Sequence, residues 1–116
     1  MATGELASKT LHELCALLKA GTVSASDVLD DLLARIAQQN PCLHAYLAID
    51  EERVRRQLET KHAASSQGPM SGLPITVKDN ICVRDEETAC ASRILRGFRA
   101  PYDATVIERL RAAGAL

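Results

Sequence analysis

The residue types that could do chemistry stand close together. Lys78, Asp79 and Asn80 close the run Gly72-Leu-Pro-Ile-Thr-Val-Lys-Asp-Asn80, and Cys90 and Ser92 follow a short way on. The run before Lys78 is apolar and β-branched, uncharged from Leu73 to Val77, and bounded by Gly72 and Asn80, so it predicts a strand. Lys78 is then delivered to the strand's carboxyl end, where loops gather and sites form in α/β proteins. A lysine held there partly out of water loses some preference for its charged form. A neutral amine is a usable general base. The competing reading is that Lys78 ends the strand and points into solvent, as most lysines do. Asp79 and Asn80 are candidates to hold the turn and orient the amine, against a plain Asx turn. Cys90 and Ser92 could line the substrate approach, with core packing the simpler role for Cys90.

Composition removes other chemistries. The chain has 116 residues and a net charge of −1, which gives no electrostatic footprint for DNA or RNA. Aromatic residues make up 3%, with no Trp, too few for base-stacking platforms. No uncharged stretch approaches the ~20 residues that span a bilayer, and Met1 to Leu11 has no secretory apolar region. The four cysteines show no C-x-x-C spacing and the three histidines are scattered, so no metal site is expected. Reduced thiols in a cytoplasmic protein, each a small core hydrophobe, are the simplest reading. Ile75-Thr-Val-Lys78 superficially matches the strand lysine of protein kinases. No glycine-rich phosphate loop of either common kind accompanies it.

The lysine needs elements to position it. Thr10 with Glu13 has capping-box spacing, Leu11, Leu14, Cys15 and Leu18 make an apolar stripe, and Gly21 is placed to stop that helix. Ser24 with Asp27 opens a second helix, which buries Leu29, Leu32, Leu33 and Ile36 and ends at Asn40-Pro41. The two stripes predict an antiparallel pair. Leu43, Ala45, Leu47 and Ile49 alternate with more polar neighbours and predict a strand, with His44 on its pleat rather than as a ligand. Asp50 to Ala64 predicts a charged surface helix with Val54 and Leu58 inward. Its basic cluster is offset by Glu51, Glu52 and Glu59, a solvated face. Ser65 to Gly72 is a loop. Beyond Lys78 the expectations are a short strand over Ile81 to Val83, a turn over Arg84 to Glu87, a short helix over Thr88 to Leu95, and a last helix. Asp103 caps that helix, Val106, Ile107 and Leu110 face inward, and Gly114 stops it. Ala115 and Leu116 lead toward a further strand, so the chain reads as the opening of a larger α/β fold.

Three stretches resemble the amidase signature family: Gly68-Pro-Met-Ser-Gly-Leu-Pro-Ile-Thr-Val-Lys-Asp-Asn-Ile-Cys82, Cys90-Ala-Ser-Arg-Ile-Leu95, and Pro101-Tyr-Asp-Ala-Thr-Val-Ile-Glu-Arg-Leu-Arg-Ala-Ala-Gly114. The branch most resembled is the amidase (A) component of the aspartyl/glutamyl-tRNA amidotransferases, from about Thr10 onward. The resemblance implies an α/β class: the N-terminal part of the amidase signature fold, with two helices and then strands of a mixed sheet flanked by helices. It implies that 1–116 is the N-terminal portion of a single amidase domain, 10–40 being the helical pair and 43–116 the start of the α/β core. It implies a triad of two serines and a lysine, with Lys78 in the lysine position. Neutral Lys78 would take a proton from a bridging serine, which takes one from the nucleophile. Such a component hydrolyses glutamine and passes ammonia to its B partner, which amidates a glutamyl or aspartyl group on tRNA, while a C partner clasps both. No cofactor is implied for this chain. ATP and Mg belong to the whole complex, and tRNA is met indirectly through the B partner.

Three departures stand out. The Gly-Gly-Ser-Ser-Gly-Gly-Ser stretch that carries the serines lies beyond the point where this chain stops, and Ser65-Ser66 is no substitute. The chain alone is therefore expected to be inactive. Asp85 stands where a glycine is usual, which implies φ > 0. Glu86 and Glu87 replace less acidic residues. A stand-alone amidase of the same family is the sibling reading. A non-catalytic α/β interaction module is the alternative from another class, and it predicts an autonomous, monodisperse fold.

Overall fold

The computed structural model describes residues 5–63 and 68–116. A 3-10 turn, Leu6–Ser8, precedes four helices: α1 (Leu11–Lys19), α2 (Ala25–Leu43), α3 (Glu51–Ala63) and α4 (Thr105–Ala112).

The helix starts follow from their capping residues. The Thr10 hydroxyl accepts from the Glu13 amide, and the Glu13 carboxylate accepts from the Thr10 amide at 2.7 Å. Ser24 and Asp27 repeat the arrangement at the head of α2. Each box satisfies N–H groups that the first turn leaves orphaned. The stops of α1 and α4 are alike. Gly21 and Gly114 have φ 66° and 94°, and Thr22 and Ala115 donate back to Leu17 and Leu110 at 3.1 and 3.0 Å. That paired closure needs a left-handed residue, which glycine supplies without strain.

Two expectations about helix ends fail. α2 runs through Pro41 to Leu43. Proline's missing N–H removes one bond only, and the Asn40 carbonyl still accepts from His44 at 2.8 Å. The helix ends instead at His44, with φ 50°. Asp103 does not cap α4. Ala104 holds that position with no side-chain cap, because both Asp103 oxygens are engaged elsewhere: one accepts from the Arg84 amide at 2.8 Å and the other pairs with Arg111.

No strand forms among the described residues. The only bridge among them is antiparallel, between Glu87 and Arg99. The strand expected over Leu43 to Ile49 is absent because its middle is already committed. The Asn40 side chain binds both backbone groups of Tyr46, at 2.9 and 3.1 Å. The alternating apolar positions then face solvent, with Leu43 64% and Leu47 82% exposed. The segment from Leu73 to Lys78 is extended but makes one rung only. Leu116 donates to the Leu73 carbonyl at 2.8 Å, and Ile75 donates to the Leu116 carbonyl at 2.9 Å. This is the slanted pattern of a parallel pair. Ile81 to Val83 forms no strand and Thr88 to Leu95 no helix; two consecutive left-handed residues, Cys90 and Ala91, preclude the helix.

Leu6, Leu14, Val23, Val28 and Leu73 form one buried cluster, and Ala25, Leu29 and Leu58 form another, with Leu18 against both. α1 meets α2 through these side chains. The backbone of α2 also lies close to the Leu6–Ser8 turn and to α3. α3 lies across the surface as expected, with Leu58 buried beneath it and Arg55 bound to Asp30 of α2 at 2.7 Å. None of the four cysteines is buried, contrary to expectation: Cys15 and Cys82 are half-buried, and Cys42 and Cys90 are exposed. Residues 64–67, which include Ser65 and Ser66, lie outside the described part.

Candidate active site

Leu73 anchors the segment that carries Lys78. It is 1% exposed, and its burial contributes roughly 1.5–3 kcal/mol. Gly72 precedes it with φ 77°, and a Cβ there would sit 2.6 Å from the Ala25 Cβ. The segment therefore leaves the head of α2 with the Gly72 backbone close against the Ala25 methyl. The chain then runs extended to Lys78, whose carbonyl accepts from the Ile81 amide at 3.0 Å to close a turn. The Lys78 side chain is exposed and makes no hydrogen bond or ion pair among the described residues. The expected partial withdrawal from water is not present in this chain, because no described element covers the amine.

Asp79 is the connected member of the group. Half-buried, its carboxylate accepts from the amides of Ala89 and Ala91 at 3.1 and 3.4 Å, and its carbonyl accepts from the Cys90 amide at 3.2 Å. Asp79 thus joins the Lys78 turn to the loop carrying Cys90 and Ser92, where a local Asx turn was the plainer expectation. Asn80 is exposed and takes no part in this link. Cys90, with φ 50°, is exposed rather than packed in the core. Ser92 is half-buried, and its amide donates to the Ala89 carbonyl at 2.8 Å.

A second set of contacts holds the loop from the far side. Asp85 has φ 65°, as expected where a glycine is usual, and its amide donates to the Ala100 carbonyl at 2.9 Å. Arg99 donates to the Asp85 carbonyl at 2.6 Å, and the Glu87 carboxylate accepts from the Gly97 amide at 2.9 Å. Glu86 pairs with Arg53 of α3 at 3.2 Å, and the same guanidinium donates to the Arg84 carbonyl at 3.2 Å. Glu86 and Glu87 are therefore structural ties of this turn. The Cys82 sulfur and the Tyr102 hydroxyl lie 3.6 Å apart, and the tyrosine is held above its ordinary pKa by its hydrogen bond to Cys82, then by the negative charge of the ionised sulfur, then by desolvation. Sequence reasoning missed Arg53 and Asp103 as ties. The charge balance of α3 showed that its cations have partners, but not that Arg53 reaches Glu86 across 33 positions.

An open groove of about 300 Å³ runs between α2, α3, α4 and the extended segment. Leu29, Ile36, Val54, Ile75, Ile107 and Leu116 are among its apolar walls, and the Tyr46 hydroxyl meets Thr76 at 2.7 Å. Thr76 and Val77 line the groove while Lys78, the next residue, lies beyond it. Among the described residues no cluster of His, Cys, Asp and Glu is arranged to hold a metal ion, and no helix is long and apolar enough to cross a membrane.

Several known proteins are similar to this chain. The sequence pattern of the amidase family matches residues 27–116. The A component of the glutamyl-tRNA(Gln) amidotransferase of Symbiobacterium thermophilum is 46% identical over 105 residues, covering 86% of this chain and 22% of that protein. Its counterpart in Methylacidiphilum infernorum is 45% identical over 107 residues, covering 92% and 21%. Among solved structures, a 6-aminohexanoate cyclic dimer hydrolase superposes with TM-score 0.82 at 25% identity, over 93% of this chain and 22% of that one. A protein from a vestigial complex related to an s-triazine catabolic enzyme also gives 0.82, at 29% identity, over 93% and 25%. The chain spans between a fifth and a quarter of the proteins it matches.

Proposed function

We propose that this chain, which belongs to the amidase family, supplies the lysine of a Ser-Ser-Lys amidase site. In this reading 1–116 is the N-terminal portion of one amidase domain, and the single Leu73–Leu116–Ile75 rung begins its mixed sheet. Within the family the role is the glutamine-hydrolysing component of a glutamyl-tRNA(Gln)/aspartyl-tRNA(Asn) amidotransferase. The observation that carries this choice is the 46% identity to a protein of that name over 86% of the chain, against 25–29% for the solved structures, one of them a cyclic-dimer hydrolase.

Water adds across the side-chain amide of glutamine, releasing ammonia and leaving glutamate. Lys78 takes the proton that a bridging serine receives from the nucleophilic serine, and returns it as ammonia departs. Both serines come from sequence beyond residue 116. Exposure suits Lys78 to being covered by such sequence, since its amine has no competing partner among the described residues. Asp79 and Asn80 border the base, and Cys90 and Ser92 border the substrate approach. The B and C components of the amidotransferase are the partners, and tRNA is reached through the B component. ATP and Mg serve the assembled complex. This chain has no phosphate-binding G-x-x-x-x-G-K-[S/T] stretch to hold the nucleotide itself. The setting is the cytoplasm.

The test joins residues 1–116 to the remainder of the Symbiobacterium thermophilum protein. This completed chain should hydrolyse glutamine and lose that activity on Lys78→Ala. An inactive completed chain, or an active Lys78→Ala variant, counts against the reading. Residues 1–116 alone should release no ammonia from glutamine.

A further inference from the structure

Three consecutive amides, those of Ala89, Cys90 and Ala91, converge on one residue, Asp79. Two of the three residues, Cys90 and Ala91, are left-handed without being glycine, at φ 50° and 56°. Each such residue costs on the order of 1–2 kcal/mol unless its surroundings impose the conformation. Strain of this kind persists where neighbours over-determine it, and it concentrates at functional sites. Here the determining neighbour is identifiable. A carboxylate that accepts backbone N–H groups makes the stronger, charge-assisted kind of hydrogen bond. Asp79 places both of its oxygens on the loop, and its carbonyl takes the amide between them. The far side of the loop is held independently through Asp85, Glu87 and Arg99. The near side, facing Lys78, depends on Asp79.

We infer that Asp79 is a positioning residue that fixes the Cys90–Ser92 loop relative to Lys78, so that base and substrate-bordering loop move as one body. The inference rests on the proposed role of Lys78, and it assigns Asp79 a task separate from proton transfer. A displaced loop gives up contacts that bound substrate makes equally in the ground and transition states, and such a loss raises KM with kcat little changed. Because the loop borders the approach rather than the reacting atoms, the loss should fall mainly on KM.

Two experiments decide it. In the completed chain, Asp79→Asn should speed amide exchange at Ala89 and Ala91 about tenfold or more while α1 and α2 keep their protection. Unchanged exchange at those two amides would overturn the clamp. In the completed chain, Asp79→Asn should raise KM about tenfold or more with a smaller change in kcat. Adding Ala91→Gly relieves the left-handed strain and should restore the melting temperature without restoring KM. Joint recovery of stability and KM would make Asp79 merely structural and overturn the inference. Asp79→Glu keeps the charge and the fold but moves the oxygens, and it should show a smaller rise in KM; wild-type KM there would also overturn it. Lys78→Ala separates the two ideas. If it abolishes hydrolysis while Asp79→Asn leaves KM and kcat unchanged, only this inference fails. If Lys78→Ala stays active, the base assignment fails, and the exchange experiment still judges the clamp.

Discussion

Gly72→Ala should destabilise the chain through two separable effects. Its φ is 77°, where a Cβ costs about 1–2 kcal/mol. The added methyl would also lie 2.6 Å from the Ala25 Cβ at the start of α2, where overpacking costs about 1–3 kcal/mol. The sum, about 2–5 kcal/mol, is a large fraction of a typical domain's 5–15 kcal/mol. Urea denaturation followed by far-ultraviolet circular dichroism would read it as a lower midpoint at constant slope. Ala25→Gly removes the opposing methyl, so the double variant should regain the steric part and keep the dihedral part. A coupling of about 1–3 kcal/mol between the two sites is expected. A Gly72→Ala variant within ~0.5 kcal/mol of wild type would refute the close approach, and so would additive single effects. The result matters beyond stability, because this contact sets where the segment bearing Lys78 leaves the helices.

Acid should loosen the two N-terminal helices. The Glu13 carboxyl is held below its ordinary 4.5 by hydrogen bonds from Thr10, and Asp27 below 3.8 by hydrogen bonds from Ser24. A lowered folded pKa gives stability that is complete above the ordinary value and is lost as pH falls through the folded one. Helix content should therefore decline below about pH 4.5, and Glu13→Gln with Asp27→Asn, which removes the titrating carboxylates, should flatten that decline; an unchanged acid profile in the double variant would contradict the boxes. The Arg53–Glu86 pair is partly exposed, with side chains 29% and 47% accessible. Its double-mutant coupling should be below ~1 kcal/mol and should shrink with added salt, whereas a larger, salt-independent value would show a desolvated pair.

Local signals in this chain were legible because they act over three or four residues. The Thr10–Glu13 and Ser24–Asp27 boxes, and the stops at Gly21 and Gly114, all stand where spacing and residue type place them. The positive φ of Asp85 was readable through family resemblance, from the glycine usual at that position. The errors came from contacts between distant residues. Alternation from Leu43 to Ile49 had strand period, but Asn40 reached over the helix end and took the Tyr46 backbone. Asp103 had the type and place of a cap, yet the Arg84 amide and Arg111 claimed its oxygens. The run before Lys78 has the composition of a strand, but among the described residues it meets only Leu116 and forms none. That Asp79 binds the loop ten and more positions on was not legible, because an Asp after a lysine carries no sign of which amides will face it.

Glutamine hydrolysis by the completed chain, with and without the amine at position 78, tests the central claim most directly. Lys78→Ala should lower kcat/KM by at least about a hundredfold, within the 10²–10⁴ that a general base contributes, while the melting temperature stays at the parent value. Ammonia release at the parent rate from a folded Lys78→Ala variant would contradict the account.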